Sequence, residues 1–228
     1  MLVEPVVDET RLALDRALAR ALADRIAAGA PLTSDADVIA LRRLLAETGD
    51  ARQAAILRAV WGRVAARTGP PLMVCGAAAQ MLAADRHGLP FRTVADSDTA
   101  LAEVVSGGAA LIELAAVRPW WGKLLARPDL QVIGALPDNR DGLPRALMVA
   151  HEETGPTGAD RTFWVTDSGL PDARIVGALT LAGLAASPLV AAGGLKLFML
   201  AGYVQPEDGR LTAAPGALKG VIGAAPIF

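Results

Sequence analysis

The sequence holds one cysteine and two histidines in 228 residues, and only 4% of it is aromatic. A lone cysteine, Cys75, excludes an intramolecular disulfide and any cysteine-based metal cluster, and fits a reducing cytoplasm. His87 stands beside the helix-ending Gly88 and His151 opens the acidic run His151-Glu152-Glu153, so both read as surface-loop residues. No second cluster completes the three or four ligands zinc requires, and no metal is expected. No cofactor is expected either: Gly76-Ala77-Ala78 follows an apolar run but lacks the glycines of a GxGxxG loop. An excess of either charge is missing too. With 22 basic and 24 acidic residues the net charge is −2, which argues against bulk binding to nucleic acid or to an anionic membrane. The stretch Ile175–Leu195 is uncharged, but Gly177, Gly183, Ser187, Pro188, Gly193 and Gly194 break it into helix, loop and strand rather than a membrane span. The opening MLVEPVVDET lacks the basic and apolar regions of a secretory signal, so a cytoplasmic protein is expected.

What the sequence has in plenty is alanine, leucine and arginine near its start. Leu14, Leu18, Leu22 and Ile26 recur every four residues over Thr10–Ala28, the pattern of a helix closed by Gly29-Ala30-Pro31. Val38, Leu41, Leu44 and Leu45 predict a second helix over 34–47, with Ser34 and Asp37 as a capping pair. Leu57, Val60 and Val64 predict a third over 50–68, and Gly69-Pro70-Pro71 ends it. Three such helices bury little area alone, so residues 1–69 are expected to form a helical unit that pairs with a second copy, giving a homodimer.

From Leu72 the pattern becomes α/β. LMVCG, PFRTVA and AALIEL read as strands; AAAQMLAADRHG and DSDTALAEVVSGG read as helices between them, the second started by Asp96, Ser97 or Asp98. This alternation predicts βαβ units on a mainly parallel sheet. Trp120-Trp121 reads as an anchor for a proline-rich connection, followed by strands at DLQVIGALP, ALMVAHE and RTFWVT. The last stretch reads as a helix (172–185), a strand (195–204), a polar turn with a helix, and a final strand (219–223).

The chemistry-bearing residues are mostly arginines on the first helices, including Arg11, Arg16, Arg20, Arg25, Arg42, Arg43, Arg52, Arg58, Arg63 and Arg67. Guanidinium forks bind carboxylates bidentately, so an arginine-lined helical groove suits a small dicarboxylate. The alternative is a set of solvated helix faces balanced by Asp24, Asp35, Asp37 and Glu47. Cys75 reads as a buried, inert thiol, since no pattern supplies a base for it.

The helices resemble the all-helical chorismate mutase domain that precedes prephenate dehydratase in bifunctional enzymes of phenylalanine synthesis. VADSDTALAEVVSGGAALIEL is similar to the dehydratase stretch leading to its Pro-Ile-Glu-Asn-Ser motif, and GADRTFWV to the strand carrying its Thr-Arg-Phe motif. The end of the chain, closing on ALKGVIGAAPIF, is similar to an ACT regulatory domain. The resemblance implies three parts: a mutase-like helical unit at 1–69, a truncated, periplasmic-binding-protein-like α/β domain at 70–168, and a small ACT-like α+β unit at 169–228.

Carried over residue by residue, the family's machinery is largely replaced. Its first-helix arginine matches Arg16, but its lysine falls near Ala27, its Arg-Glu pair on Ala36-Asp37, and its glutamine on Thr68. Glu-Asn-Ser becomes Glu113-Leu114-Ala115, and Thr-Arg-Phe becomes Arg161-Thr162-Phe163, which moves the hydroxyl to the opposite face of a strand. The resemblance thus implies a non-catalytic relative that binds a carboxylate metabolite (chorismate, prephenate or phenylalanine), with Glu113, Arg161 and Thr162 as ligand-binding candidates, or that partners a pathway enzyme. One alternative is a working chorismate mutase in which Arg16, Arg25 and Arg42 hold the substrate carboxylates and Asp37 a hydroxyl, since that catalysis is electrostatic. The other is an interaction protein with no ligand.

Overall fold

In the computed structural model the described residues are 8–10, 12, 13, 16, 19, 20, 27, 34–48, 51–114, 118–140 and 142–228. Those of the first segment that fall between 9 and 27 are helical. Two helices follow, α1 (Ser34–Thr48) and α2 (Ala51–Thr68). Val38 and Leu41 on α1 and Leu57 and Trp61 on α2 are buried, so each helix turns one apolar stripe inward, as the four-residue spacing requires.

Pro70-Pro71 then releases the chain into β1 (Leu72–Cys75), α3 (Ala77–His87), β2 (Arg92–Thr93), α4 (Ser97–Val105) and β3 (Ala109–Glu113). Asp96 caps α4, accepting from Thr99 N at 2.8 Å. These strands are parallel, β1 lying between β2 and β3. A 3-10 segment (Trp120–Ala126) leads to β4 (Gln131–Leu136), β5 (Ala146–Ala150), β6 (Asp160–Thr166), α5 (Asp172–Leu181), β7 (Ala186–Ala192), β8 (Leu195–Ala201) and β9 (Lys219–Pro226).

All nine strands join one sheet in the order β2-β1-β3-β5-β4-β9-β6-β8-β7. The mainly parallel sheet expected from sequence is corrected here. Beyond β3 only the β4–β9 pair is parallel; β3–β5, β4–β5, β6–β8, β6–β9 and β7–β8 are antiparallel. The reason is the connections. A parallel crossover needs a covering helix of a dozen or more residues, and the links at 137–145 and 151–159 contain none. The expected helix after residue 205 is only a 3-10 turn, Gly209–Leu211. The helix predicted to 185 stops at Leu181, where Gly183 at φ +81 lets Leu184 N reach Leu179 O. That early stop frees Ala186–Ala192 to form β7, a strand the sequence reading did not include. The sheet runs without a break across residue 168, where a boundary between units was expected, because β9 inserts between β4 and β6.

Alternating residues divide the core between the two faces. Met73, Ala110, Ile112, Val132, Leu147, Val149, Phe163 and Val165 meet α4 and the anchored Trp120 and Trp121. Leu72, Val74, Ala109, Leu111, Leu136, Ala146 and Ala150 turn the other way, against α3. Among the described residues no helix is long and apolar enough to cross a membrane. Ile175–Leu195 is instead the body of α5, all of β7 and the first residue of β8.

Candidate functional site

A cavity of about 300 Å3 lies on the second face, beneath α2 and α3 and over β3, β4 and β5. Its walls are apolar for most of their extent, with Trp61, Leu72, Ile133, Met148 and Phe228 among them. Polar groups gather at one end, where Arg86, His87 and Asp138 come together.

A glycine makes that end possible. Gly62 sits inside α2, and a Cβ there would overlap both the carbonyl oxygen and the guanidinium of Arg86. Its absence lets α2 and α3 approach backbone to backbone and seals Arg86 between them, 9% exposed. Arg86 Nε donates to Asp138 Oδ2 at 2.8 Å and its Nη1 donates to the carbonyl of Arg58. Arg58 Nη2 donates to the other oxygen of Asp138, so one carboxylate is held by two guanidinium groups. The Arg86 guanidinium also lies 5.6 Å from the centre of the Phe228 ring. Burial, and after it the charge of Arg58, pull the Arg86 guanidinium down to about 9, with Asp85 acting in the opposite sense; at neutral pH it remains a cation.

His87 is not the surface-loop residue expected. It is the last residue of α3, packed on α2 with Nδ1 3.4 Å from the carbonyl of Gly62. Its Nε2 is shut away from solvent and has no hydrogen-bond partner among the described residues. Burial first, then the neighbouring Arg86 charge, push the imidazole down to about 4, against the opposing bond to Gly62, so it is neutral at pH 7. His151 is exposed, as expected of a loop. Among the described residues no group of three His, Cys, Asp or Glu could hold a metal ion.

The residues singled out from sequence are placed elsewhere. Arg42 on α1 is a staple: Nε donates to Ile227 O (3.1 Å), Nη1 to Thr157 O (2.6 Å), and Nη2 to Thr157 Oγ1 (3.0 Å), Ala159 O (2.9 Å) and Ile227 O (2.9 Å). Asp160 organises the same turn, accepting from Thr157 N at 2.9 Å and Gly158 N at 3.1 Å. Arg16 is exposed on its helix. Arg11, Arg25 and the side chain of Asp37 lie outside the described residues.

Glu113 closes β3 and accepts from Ala78 N at 3.1 Å, so it neutralises the start of α3. Arg161 is buried in β6, its Nη2 donating to Asn139 O at 2.6 Å and its Nη1 to Gly142 O at 3.3 Å. Thr162 Oγ1 donates to Gly202 O and accepts from Val204 N, both at 2.8 Å. Three strands separate β3 from β6, which at strand spacing puts Glu113 roughly 19 Å from the other two. These three residues therefore do not share a pocket.

A larger cleft, about 740 Å3, runs along β9 beside Leu124, Leu125 and Tyr203. Its acids Glu153 and Glu207 are exposed, and its Lys219 donates to the carbonyls of Thr212 and Ala214. The smaller cavity is the one that combines a mainly apolar wall with a buried charge, the usual form of a small-molecule site.

No family model matches the chain, and no curated protein matches it. Among solved structures it is similar to GqqA, a novel type of quorum quenching acylase, at 16% identity and a TM-score of 0.47 over 69% of this chain and 95% of that one. It is also similar to the prephenate dehydratase of Staphylococcus aureus subsp. aureus Mu50 (10% identity, TM-score 0.45, 68% and 99% of the two chains). A third likeness is to the prephenate dehydratase of Streptococcus mutans (12%, 0.40, 70% and 99%). These are distant likenesses of an α/β fold, and at such TM-scores they carry no activity over to this chain. Nothing in them speaks for a mutase-like helical unit or an ACT-like unit.

Proposed function

We propose that the protein is a non-catalytic relative of the mutase–dehydratase proteins that binds a small carboxylate metabolite of the aromatic pathway in the cavity under α2 and α3. The observation that carries this reading is the pairing of a mainly apolar cavity with a buried guanidinium at one end of it. An apolar body and an acid group are what such a wall recognises. Non-catalysis is supported by the internal engagements of Glu113, Arg42 and Thr162, each of which already satisfies another part of the chain.

Chorismate, prephenate and phenylalanine are the first ligands to test, by thermal shift and by ultraviolet absorbance of chorismate. A shift without turnover supports the binding reading. Turnover that is lost in Arg42→Ala would establish a mutase and overturn it.

A homodimer through the N-terminal helices is part of the proposal. Ile39 and Ile56, on α1 and α2, stay 37% and 49% exposed, which is apolar surface a second copy would cover. A monomer by light scattering at micromolar concentration would remove this part.

A further inference from the structure

One edge of β9 is only partly used by the sheet. Towards β6 the strand pairs from Lys219, opposite Thr166, to Pro226, opposite Asp160. Towards β4 it pairs at a single position, Gly223 opposite Val132. β4 starts only at Gln131, and the residue before it is drawn aside, Leu130 N donating to Arg127 O at 3.0 Å. β9 starts earlier in the ladder, at Lys219. Its first half therefore runs past the end of β4 with no strand beside it among the described residues.

The alternation of an antiparallel ladder fixes what that edge presents, since every second residue turns its N–H and C=O away from the partner strand. Asp167 N donates to Leu218 O at 3.0 Å, which turns Leu218 and Gly220 towards β6 and Lys219 and Val221 away from it. Among the described residues no backbone group of another segment bonds to the outward N–H and C=O of Val221, which is half-buried. Unpaired backbone in such a place costs free energy until a partner arrives. Lys219, Gly220, Val221 and Ile222 all line the cleft of about 740 Å3. A free strand edge inside a cleft is a template for one more strand.

Charge selects the strand. The charged residues on the cleft wall are Glu153, Glu207 and Lys219. The Lys219 ammonium is spent on the carbonyls of Thr212 and Ala214, whereas Glu153 and Glu207 are exposed and form no ion pair among the described residues. The Tyr203 hydroxyl donates to Thr154 O at 2.6 Å, which ties together the two loops that carry these acids. We propose that the cleft receives an extended peptide segment of another protein, rich in lysine or arginine, added as a strand to the edge of β9 with its cations towards Glu153 and Glu207. Backbone pairing supplies the affinity and the acids supply the selectivity.

The test uses the full chain and a labelled probe, acetyl-Thr-Lys-Val-Lys-Thr-amide, read by fluorescence anisotropy. Two controls have the same length: one with glutamate at both lysine positions, and one N-methylated throughout, which keeps the cations and loses the backbone donors. The lysine probe is expected to bind about tenfold or more tightly than either control. Replacing both acids, by Glu153→Gln with Glu207→Gln, is expected to remove its advantage over the glutamate probe. Val221→Pro takes away the outward N–H and is expected to abolish binding; if that variant does not fold, the N-methylated probe puts the same question to the parent protein. Equal binding of the lysine and glutamate probes, undiminished binding of the N-methylated one, or no binding of the lysine probe at about 1 mM overturns the inference. Self-association that Val221→Pro abolishes and the lysine probe does not compete with also overturns it, since the edge would then belong to a second copy of the chain.

Discussion

The carboxylate of Glu113 accepts the backbone N–H of Ala78 at 3.1 Å, joining the end of β3 to the first turn of α3. The ends of parallel strands, where helices begin, are where α/β folds commonly collect anionic ligands. Here the chain's own anion fills that place, and a Cβ on Gly76 would overlap the Glu113 side chain. Glu113→Ala is expected to destabilise the fold by about 1 kcal/mol, the size of a lost helix cap, and to leave ligand binding in the cavity unchanged. Urea unfolding and calorimetry check both halves. Loss of binding without loss of stability would return Glu113 to the role of a ligand-binding residue.

Arg42 gives the second prediction. Its guanidinium ties α1 to the turn at 157–159 and to Ile227, positions more than a hundred residues away. Burial lowers its pKa, with Asp160 opposing, and it remains charged at neutral pH. Arg42→Met strands several carbonyl groups and is expected to cost about 2–4 kcal/mol. Arg42→Lys is expected to recover little of this, because a point charge cannot span the fork of acceptors. Hydrogen exchange should show the amides of α1 losing protection first. A variant as stable as the parent would refute the staple.

Which parts of this were legible in the sequence follows from what periodicity encodes. The apolar runs at Leu72, Ala109, Val132 and Phe163 gave strands, and Asp96 gave a helix start, because both signals are local. Strand direction was not legible, since it depends on the connections: the βαβ rhythm was extended past Glu113, where the covering helices stop. The hairpin joining β7 to β8 did have a signal, Gly193-Gly194 between apolar runs, with φ of +56 and +80. The site was the least legible. Arg86 and Asp138 are 52 positions apart and Arg86 lies in an alanine-rich helix with no motif around it. The one local hint was Gly62, a poor helix former in the middle of a helix, which marks close approach of another backbone.

Gly62→Ala tests that hint by sign. Helix propensity alone favours alanine by about 1 kcal/mol. Overlap with the Arg86 carbonyl opposes it, and backbone atoms cannot swing aside. Overpacking of this kind typically costs about 1–3 kcal/mol or more, so the net effect is expected to be destabilising. Because the α2–α3 contact also shapes the cavity, affinity for a ligand of the cavity is expected to fall with it. A more stable Gly62→Ala protein would mean the helices are not in backbone contact.

His87 supplies the pH dependence. Its folded value, about 4, lies below the ordinary 6.5, so between these values the unfolded chain binds a proton that the folded chain excludes. Stability is therefore complete above pH 6.5 and falls as the pH drops towards 4, by at most about 3 kcal/mol for this group. Replacing the imidazole by a neutral amide of similar reach removes the titration, so His87→Gln is expected to flatten the stability profile over pH 4–6.5 while changing little at pH 7.5. The other acid-range groups, such as Asp96 and Asp208, have lowered values set chiefly by hydrogen bonds from Thr99 and Arg210 and lose their contribution only at lower pH. Urea midpoints for both proteins at pH 4.5, 5.5, 6.5 and 7.5 decide it. Parallel profiles for parent and variant would show that His87 titrates normally and that the α2–α3 contact does not exclude its proton.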